Sequence, residues 1–372
     1  MDFTLLIQSI TEGFRSFGWQ NAVMIVVGCI LIALAVIKEY EPVLLLPIGF
    51  GCILANLGMS NEVGMMKVIY DAGIKTELFP LLIFIGVGAM IDFSPLLAQP
   101  KMVLLGAAGQ FGIYGTLILA VLLGFPINQA ASIGVIGAID GPTAIFVSSK
   151  LAPELLGPIA VAAYSYMSLI PIIQPPIMRV MTTKAERKIR MDYAPRQVSK
   201  KVLVSFPIIV TAIISLLAPD AAPLIATLML GNLLRESGVV DRLSKSAQNE
   251  IINVSTLFLG LAIGSTMTGA SFIRLDTLMI LGLGLLAFVL DTVAGLGFGK
   301  LMCVISGHKI NPLIGACGIS AFPMAARLSA KMAQEEDFDN FILMHAMGSN
   351  TAGQLGSVIA GGLLLALVSG IV

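Results

Sequence analysis

The stretch Gly134-Val-Ile-Gly-Ala-Ile-Asp140-Gly-Pro142-Thr-Ala-Ile-Phe146 decides how the rest of the chain is interpreted. It is apolar enough to lie in a bilayer, yet it carries a carboxylate followed at once by glycine and proline. A charge at membrane depth costs roughly 2.5–3.5 kcal/mol on insertion scales, and proline interrupts the hydrogen bonds of a helix. Carriers place cation sites at such breaks, because freed backbone carbonyls become ligands. The stretch therefore predicts that Asp140 binds a transported cation, with a purely structural carboxylate as the alternative.

The composition indicates a membrane protein. The 372 residues are 57% hydrophobic and 12% charged, and the mean hydropathy is +0.94. Soluble domains carry about 25% charged residues. We therefore predict an all-α polytopic membrane protein in contact with the lipid bilayer. The net charge of zero gives no indication of nucleic-acid binding.

The distribution of apolar and charged residues divides the chain into four parts. Residues 1–18 have apolar positions at helical spacing, which predicts an amphipathic helix lying in the membrane interface. Six apolar segments then fill residues 19–180, at about 19–37, 42–58, 78–97, 102–125, 130–149 and 155–180. Six more fill residues 202–372, at about 202–218, 222–234, 252–273, 277–299, 310–330 and 340–372. Most of them are long enough to cross a membrane. The loop 181–201 between them has seven lysines and arginines against two acids. By the positive-inside rule, this loop is cytoplasmic.

The two membrane parts resemble each other. Three motif pairs match in chain order at offsets of 181, 180 and 174 residues: Gly137–Pro142 with Gly318–Pro323, Gly51 with Gly231, and Phe84 with Phe258. Paired segments interrupted by glycine and proline predict two inverted repeats whose broken helices meet near the membrane midplane. Inverted repeats need an odd number of crossings each. One of six segments per half is then re-entrant, and both the short second segment and the Pro-broken fifth segment are candidates.

Polar residues follow the breaks inside the membrane segments. Hard cations such as Na⁺ take oxygen ligands from hydroxyls, amides, carbonyls and carboxylates. We predict that Na⁺ is bound by Asp140, Ser168, Asn350 and Ser357. The alternative for each hydroxyl is hydrogen bonding between helices.

Two further acids lie inside apolar runs, and the sequence assigns neither of them firmly. Asp291 is predicted to be either a second ion ligand or the buried partner of a basic residue such as Arg327. Asp92 lies near a segment end, which favours a helix cap or an interfacial residue.

Three motifs together resemble one family: Gly137–Phe146, Tyr164–Arg179 and Met344–Gly353. They look like the beta subunits of the sodium-pumping biotin-dependent decarboxylases, which act on oxaloacetate, methylmalonyl-CoA or glutaconyl-CoA. The resemblance runs from about residue 19 to the C-terminus. It implies a subunit that decarboxylates carboxybiotin, consumes a cytoplasmic proton and exports Na⁺.

The resemblance also implies roles for individual residues. Asp140 resembles the essential intramembrane aspartate, and Tyr166 resembles the tyrosine implicated in proton delivery. Asn350 and Ser357 resemble polar residues of the last conserved helix, although no arginine follows Ser357 as in some relatives. We expect Arg179, at the mouth of the broken segment, to pair with the carboxylate of carboxybiotin before CO₂ leaves.

The implied cofactors are Na⁺ and biotin, the latter as carboxybiotin on a partner rather than attached to this chain. The implied partners are a biotin-carrier subunit, a carboxyltransferase (alpha) subunit and a small membrane subunit, and we expect a homo-oligomer in a prokaryotic inner (plasma) membrane. The residues alone leave a pump subunit and an autonomous secondary Na⁺/H⁺ antiporter open. The resemblance favours the pump subunit. A passive structural subunit would leave Asp140 beside Gly-Pro unexplained.

Overall fold

The computed structural model describes residues 17–39, 41–62, 64–191 and 198–370. Within these ranges all regular secondary structure is helical, so the predicted all-α class is confirmed. The amphipathic helix predicted for residues 1–18 lies outside the described residues, except for Phe17 and Gly18, which precede the first described helix.

The described α-helices fall on either side of the basic loop. Those before it are α1 (Trp19–Ile37), α2 (Pro42–Asn56), α3 (Gly64–Tyr70), α4 (Leu78–Met90), α5 (Ser94–Ala98), α6 (Val103–Ala108), α7 (Phe111–Leu122), α8 (Ile127–Gly134), α9 (Gly141–Leu151), α10 (Leu156–Ser168) and α11 (Ile170–Met181). The short helix α12 (Lys184–Arg187) lies within the loop, and those that follow it are α13 (Lys200–Leu217), α14 (Ala222–Ser237), α15 (Asp241–Ser246), α16 (Ile252–Thr266), α17 (Gly269–Phe272), α18 (Leu275–Ile305), α19 (Met324–Glu336) and α20 (Leu343–Ser369).

Among the described residues, five helical stretches are long and apolar enough to cross a membrane: α1, the run Pro100–Leu122 that contains α6 and α7, α13, α18 and α20. Two bent pairs raise this number to seven if each pair is one span. The bends are 57° between Gly64–Lys75 and Leu78–Met90, and 63° between Pro153–Met167 and Ile170–Met181. By length and composition, the chain is a multi-pass membrane protein.

Hydrogen bonds define which helix ends lie together. Arg235 donates to the carbonyl of Met90 at 2.9 Å, and Gly238 lies beside the ammonium of Lys200 from the basic loop. We call this the loop end. At the opposite, far end, Asn56 donates to the carbonyl of Met267 at 2.7 Å. Helix α2 therefore ends at the far end, at Asn56.

The fifth segment of each half doubles back on itself. In the first hairpin, formed by α8 and α9, Asn128 donates to the carbonyl of Leu151 at 2.9 Å. In the second, Ser329 of α19 donates to the carbonyl of Leu313 at 3.1 Å. The first hairpin opens at the far end and the second at the loop end, where Arg187 pairs with Glu336 at 2.6 Å. Two re-entrant hairpins thus approach each other from opposite ends.

The two halves also share an order of elements that the predicted duplication requires. A five-residue π-helix follows α3 at Asp71–Lys75, and another follows α15 at Ala247–Ile251. A Cβ at Gly51 would lie 2.7 Å from the carbonyl of Leu261, and a Cβ at Gly231 would overlap the carbonyl of Ile85. The two contacts place residues 51 and 231, and residues 261 and 85, in reciprocal positions. The duplication itself stays a prediction.

Candidate cation site

Asp140 lies at the tip of the first hairpin, where the helix is broken. A 3₁₀-helix ends at Ala138, Ile139 adopts a left-handed conformation (φ 52°), and α9 begins at Gly141 with Pro142 in its first turn. Pro142 lacks an N–H, which is tolerated only at a helix start. A Cβ at Gly141 would overlap the ring of Tyr164, so only glycine fits there. The Asp-Gly-Pro sequence therefore starts a new helix and places a carboxylate at the break.

Three side chains donate hydrogen bonds to one oxygen of this carboxylate. Oδ2 of Asp140 accepts from Thr143 at 2.7 Å, from Gln354 at 2.9 Å and from Ser357 at 3.0 Å. Hydrogen bonds to a charged group contribute about 1.5–3 kcal/mol each. No ion pair among the described residues includes Asp140, which is 6% exposed. The three donors stabilise the anion without neutralising its charge.

The second break meets the first at this point. The amide N–H of Ser320 donates to the carbonyl of Ala138 at 3.4 Å, and the hydroxyls of Ser320 and Ser357 lie 2.9 Å apart. Hydroxyl oxygens that donate to a carboxylate keep lone pairs for a cation. Oxygen atoms from both hairpins and from α20 therefore surround Asp140, which is the inventory that a hard cation needs.

A cavity of about 360 Å³ leads to Asp140. Its walls include Glu41, Met90 and Gln248. Met90 lies at the loop end, because its carbonyl accepts the hydrogen bond from Arg235, and Glu41 and Gln248 line the same cavity as Met90. Asp140 and Gln354 line the same cavity. The site is thus reached from the end that the positive-inside rule makes cytoplasmic.

Asn350 and Ser357 lie on the same helix but make different contacts. Ser357 touches Asp140 directly, whereas Asn350 donates to the carbonyl of Ile319 in the second break at 2.7 Å. Asn350 is fully buried, and its amide oxygen has no hydrogen-bond partner among the described residues. Asn350 therefore holds the second break in place beside the site.

The side chains of the two tyrosines in the Tyr164-Ser-Tyr166 motif contact different parts of the protein. The hydroxyl of Tyr166 donates to the carbonyl of Leu281 on α18. Tyr164 packs on Gly141 and lines the cavity that leads to Asp140. Helix α10 ends at Ser168, whose side chain lies outside the described part of the chain, so its predicted role as a Na⁺ ligand stays a prediction.

Arg179 lies at the loop end, near the C-terminus of α11. It is exposed and pairs with Glu335 of α19 at 3.3 Å. It does not line the Asp140 cavity. A separate cavity of about 630 Å³ at the same end is lined by Lys101, Arg190 and Lys309.

The other two intramembrane acids have distinct surroundings. Asp291 is fully buried and accepts from the amide N–H of Gly112, while Arg327 is exposed and forms no ion pair with Asp291 among the described residues. Asp92 accepts from the N–H of Ser94 at 2.8 Å and lies 3.6 Å from Arg235. Asp92 therefore makes a local turn contact just before α5, whose N-cap residue is Phe93.

Sequence reasoning missed Thr143, Gln354 and Ser320. Thr143 lies three residues after Asp140 in the first turn of α9, a spacing that brings side chains together at a helix start. Gln354 lies one turn before Ser357 on the same face of α20. Both spacings are readable in the sequence once Asp140 and Ser357 are chosen. Ser320 carries no such signal, because only the meeting of the breaks brings it to the site.

Comparison with known proteins matches nearly the whole chain to one family. The family model described as the Na⁺-transporting oxaloacetate decarboxylase beta subunit matches residues 20–368. The glutaconyl-CoA decarboxylase subunit beta of Acidaminococcus fermentans is 53% identical, with 99% of each chain covered. The methylmalonyl-CoA decarboxylase subunit beta of Veillonella parvula is 52% identical, again with 99% of each chain covered.

A third relative is named for another substrate. The oxaloacetate decarboxylase beta chain of Klebsiella pneumoniae is 46% identical, with 96% of this chain and 97% of that one covered. The resemblance expected from the three motifs is confirmed, and the family favours a pump subunit over an autonomous antiporter. With its intramembrane carboxylate at the meeting point of two broken hairpins, the chain belongs to the family of beta subunits of the Na⁺-transporting decarboxylases.

Proposed function

We propose that this chain carries Na⁺ at Asp140 and uses the decarboxylation of carboxybiotin, delivered by a biotin-carrier subunit, to export it. In that reaction the bond between the ureido nitrogen of biotin and the carboxylate carbon breaks. Its electron pair stays on nitrogen, which takes a proton, and CO₂ leaves. Moving one charge against 100 mV requires about 2.3 kcal/mol, so decarboxylation drives few ions per turnover.

The observation that carries the proposal is the convergence of three donors on Oδ2 of Asp140 at the end of a cavity from the loop end. Asp140 supplies the charge, and the hydroxyls of Thr143 and Ser357 supply further oxygen ligands. Asn350, bonded to the carbonyl of Ile319, holds the second break against the first and completes the set of residues that we assign to Na⁺ binding.

Tyr166 is the residue that we assign to proton delivery. Its hydroxyl already makes a hydrogen bond, to the carbonyl of Leu281, so it is held in one orientation within the bundle. A tyrosine hydroxyl in a fixed orientation can donate its proton and then take up another proton from the cytoplasmic side.

The anionic substrate is proposed to dock at the loop end. The cavity lined by Lys101, Arg190 and Lys309 lies there and favours an anion, whereas no lysine, arginine or histidine lines the Asp140 cavity. Arg179 lies at the same end and is the predicted partner of the carboxylate. We further propose that this end faces the cytoplasm of a prokaryotic cell, that the chain lies in the inner membrane, and that an alpha carboxyltransferase subunit and a small membrane subunit complete the assembly.

The test is purification of the intact assembly followed by reconstitution into vesicles. Co-isolation of a biotinylated subunit, together with Na⁺ uptake that needs the acyl substrate, supports the proposal. Na⁺ flux by the chain alone, driven by a pH gradient without any biotinylated partner, would refute it.

A further inference from the structure

The cavity that leads to Asp140 holds a second carboxylate, that of Glu41. Glu41 lies at the loop end, where it is the N-cap residue of α2. It is partly buried. Two carboxylates in one enclosed, mostly apolar space repel each other and attract a cation.

Glu41 has no structural partner that explains it. Its side chain makes no capping hydrogen bond to α2, and no ion pair joins it to another of the described residues. An acid at a helix N-terminus is stabilised by the helix dipole. A solvent-facing acid would be stabilised as much, so the dipole does not explain why Glu41 lies inside the cavity. The backbone of Glu41 is also left-handed (φ 38°), a conformation that costs a non-glycine residue about 1–3 kcal/mol and is retained where the surroundings impose it.

The cavity wall opposite Glu41 supplies neutral oxygen atoms. Gln248, Asn253 and Thr256 line the same space and come from the π-helix and the first turns of α16. Amide and hydroxyl oxygens are ligands that Na⁺ accepts in place of water. Tyr164 and Asp140 line this same cavity. A cation bound at Glu41 therefore lies in a space that is continuous with Asp140.

We propose that Glu41 forms, with Gln248, Asn253 and Thr256, an outer cation site that collects Na⁺ from the cytoplasmic side and passes it to Asp140. This proposal rests on the proposed function. Glu41 acts here as a positioning residue for the cargo, and it raises the local Na⁺ concentration without taking part in decarboxylation.

The test measures the rate of decarboxylation by the purified assembly against Na⁺ concentration, with choline chloride keeping the ionic strength constant. Glu41→Gln removes the charge and keeps the shape. We expect the Na⁺ concentration for half-maximal rate to rise about tenfold, because the loss of one unit charge from a partly buried site weakens cation binding by about that factor. The maximal rate at saturating Na⁺ stays within about twofold of the wild type.

The matched control is Glu39→Gln, the same change two residues earlier. Glu39 is exposed, has a left-handed backbone (φ 54°) and does not line the cavity. We expect its Na⁺ dependence to equal that of the wild type. Glu41→Asp, which keeps the charge, and Gln248→Glu in the Glu41→Gln background, which restores a charge to the opposite wall, should both return the half-maximal concentration toward the wild-type value.

Three results would overturn the outer site: an unchanged half-maximal Na⁺ concentration in Glu41→Gln, an equal rise in Glu39→Gln, or a lowered maximal rate without any rise. None of them touches the role of Asp140, which is tested separately by its own substitutions. If Glu41→Gln fails to assemble, Glu41→Asp decides: a Na⁺ concentration for half-maximal rate raised as far as expected for Glu41→Gln refutes the proposal, and a near-normal one supports it.

Discussion

At the scale of single residues, the site depends on the Asp140 carboxylate, which accepts hydrogen bonds from three neutral donors and forms no ion pair with a basic side chain among the described residues. We predict that Asp140→Asn abolishes Na⁺-dependent decarboxylation and that Asp140→Glu leaves at most a trace. The amide lacks the charge that balances Na⁺, and the longer acid no longer fits between Thr143 and Ser357. Decarboxylation assays on the assembly measure both effects. Activity of Asp140→Asn close to that of the wild type would remove Asp140 from the mechanism.

The hydrogen bond from Thr143 allows a sharper test. Thr143→Val keeps the branched shape but removes one of the three donors, which destabilises the ionised carboxylate. We expect the Na⁺ concentration for half-maximal activity to rise about tenfold, since a charged hydrogen bond contributes about 1.5–3 kcal/mol. The control is Thr116→Val, because Thr116 is equally buried and its hydroxyl has no partner among the described residues. Equal Na⁺ dependence in both variants would contradict the assignment of Thr143.

The sequence predicted the residues whose chemistry stands out and missed those whose role depends on position. Asp140 was predictable because an acid beside Gly-Pro in an apolar run has few other uses. Ser357, which the sequence predicted to bind the same ion as Asp140, lies within hydrogen-bond distance of Asp140. Gln354 and Glu41 were missed because an amide on a membrane helix and an acid before a proline have common structural explanations. Only the folded chain shows that both line the cavity.

At the scale of elements, the segment that follows α11 is fastened to α19. Arg187 pairs with Glu336, and Arg190 pairs with Asp337 at 2.7 Å. The hydrogen bond from Arg187 holds the pKa of Glu336 below its usual value, and the bond from Arg190 does the same for the pKa of Asp337. Lowered carboxyl pKa values mean that these pairs stabilise the fold above the unfolded pKa values and stop doing so as the pH falls through the lowered ones.

We therefore predict that acidification below about pH 4 loosens the contact between this segment and α19, while the membrane core persists. Hydrogen exchange of residues 182–191 should rise there first. Arg187→Met should produce the same rise at neutral pH, because it removes the partner of Glu336. Slow exchange of this segment at low pH, equal to that at neutral pH, would contradict the prediction.

The ion pairs also change how carrier docking is tested. Arg187 is buried against Glu336, so it does not meet a soluble partner, whereas Lys184 and Lys188 are exposed. We predict that neutralising Lys184 and Lys188 weakens carrier docking in a salt-sensitive way. Arg179→Ala should slow turnover even with saturating carrier. Normal turnover of Arg179→Ala would show that Arg179 only orients the chain in the membrane.

The apolar segments predicted where helices lie better than how they bend. Segment lengths gave α1, α13 and α20 closely, but the 57° and 63° bends do not follow from hydrophobicity. The parity of inverted repeats narrowed the re-entrant segment to two candidates. The choice depended on whether the second or the fifth segment returns to its starting end. That is set by contacts such as Asn128 with Leu151, far apart in sequence.

At the scale of the whole molecule, the two hairpins open at opposite ends. In a background where the exposed Cys29 is replaced by alanine, we predict that Glu154→Cys is labelled by an impermeant maleimide from outside the cell. Lys309→Cys should be labelled only from the cytoplasmic side. Both positions are exposed, and they line cavities at the far end and the loop end respectively. Labelling of both from the same side would rule out the inverted arrangement.

The predicted repeat is clearest in the sequence where glycine is needed for close packing. Gly51 and Gly231 each let a helix of the other half approach, and a side chain at either position would strike a backbone carbonyl. The third motif pair is a weaker signal, because Phe84 is buried whereas Phe258 is exposed.

The tight packing of the first hairpin has a consequence for a cell at rest. Every residue from 130 to 148 is buried, so the far side of Asp140 is filled with side chains while the loop side is open. A cell that has used up its acyl substrate still has a high concentration of Na⁺ outside. If Asp140 carries Na⁺ as proposed, the filled far side predicts that external Na⁺ does not leak back through the protein when no substrate is available. The sodium gradient would then be conserved while the pump is inactive.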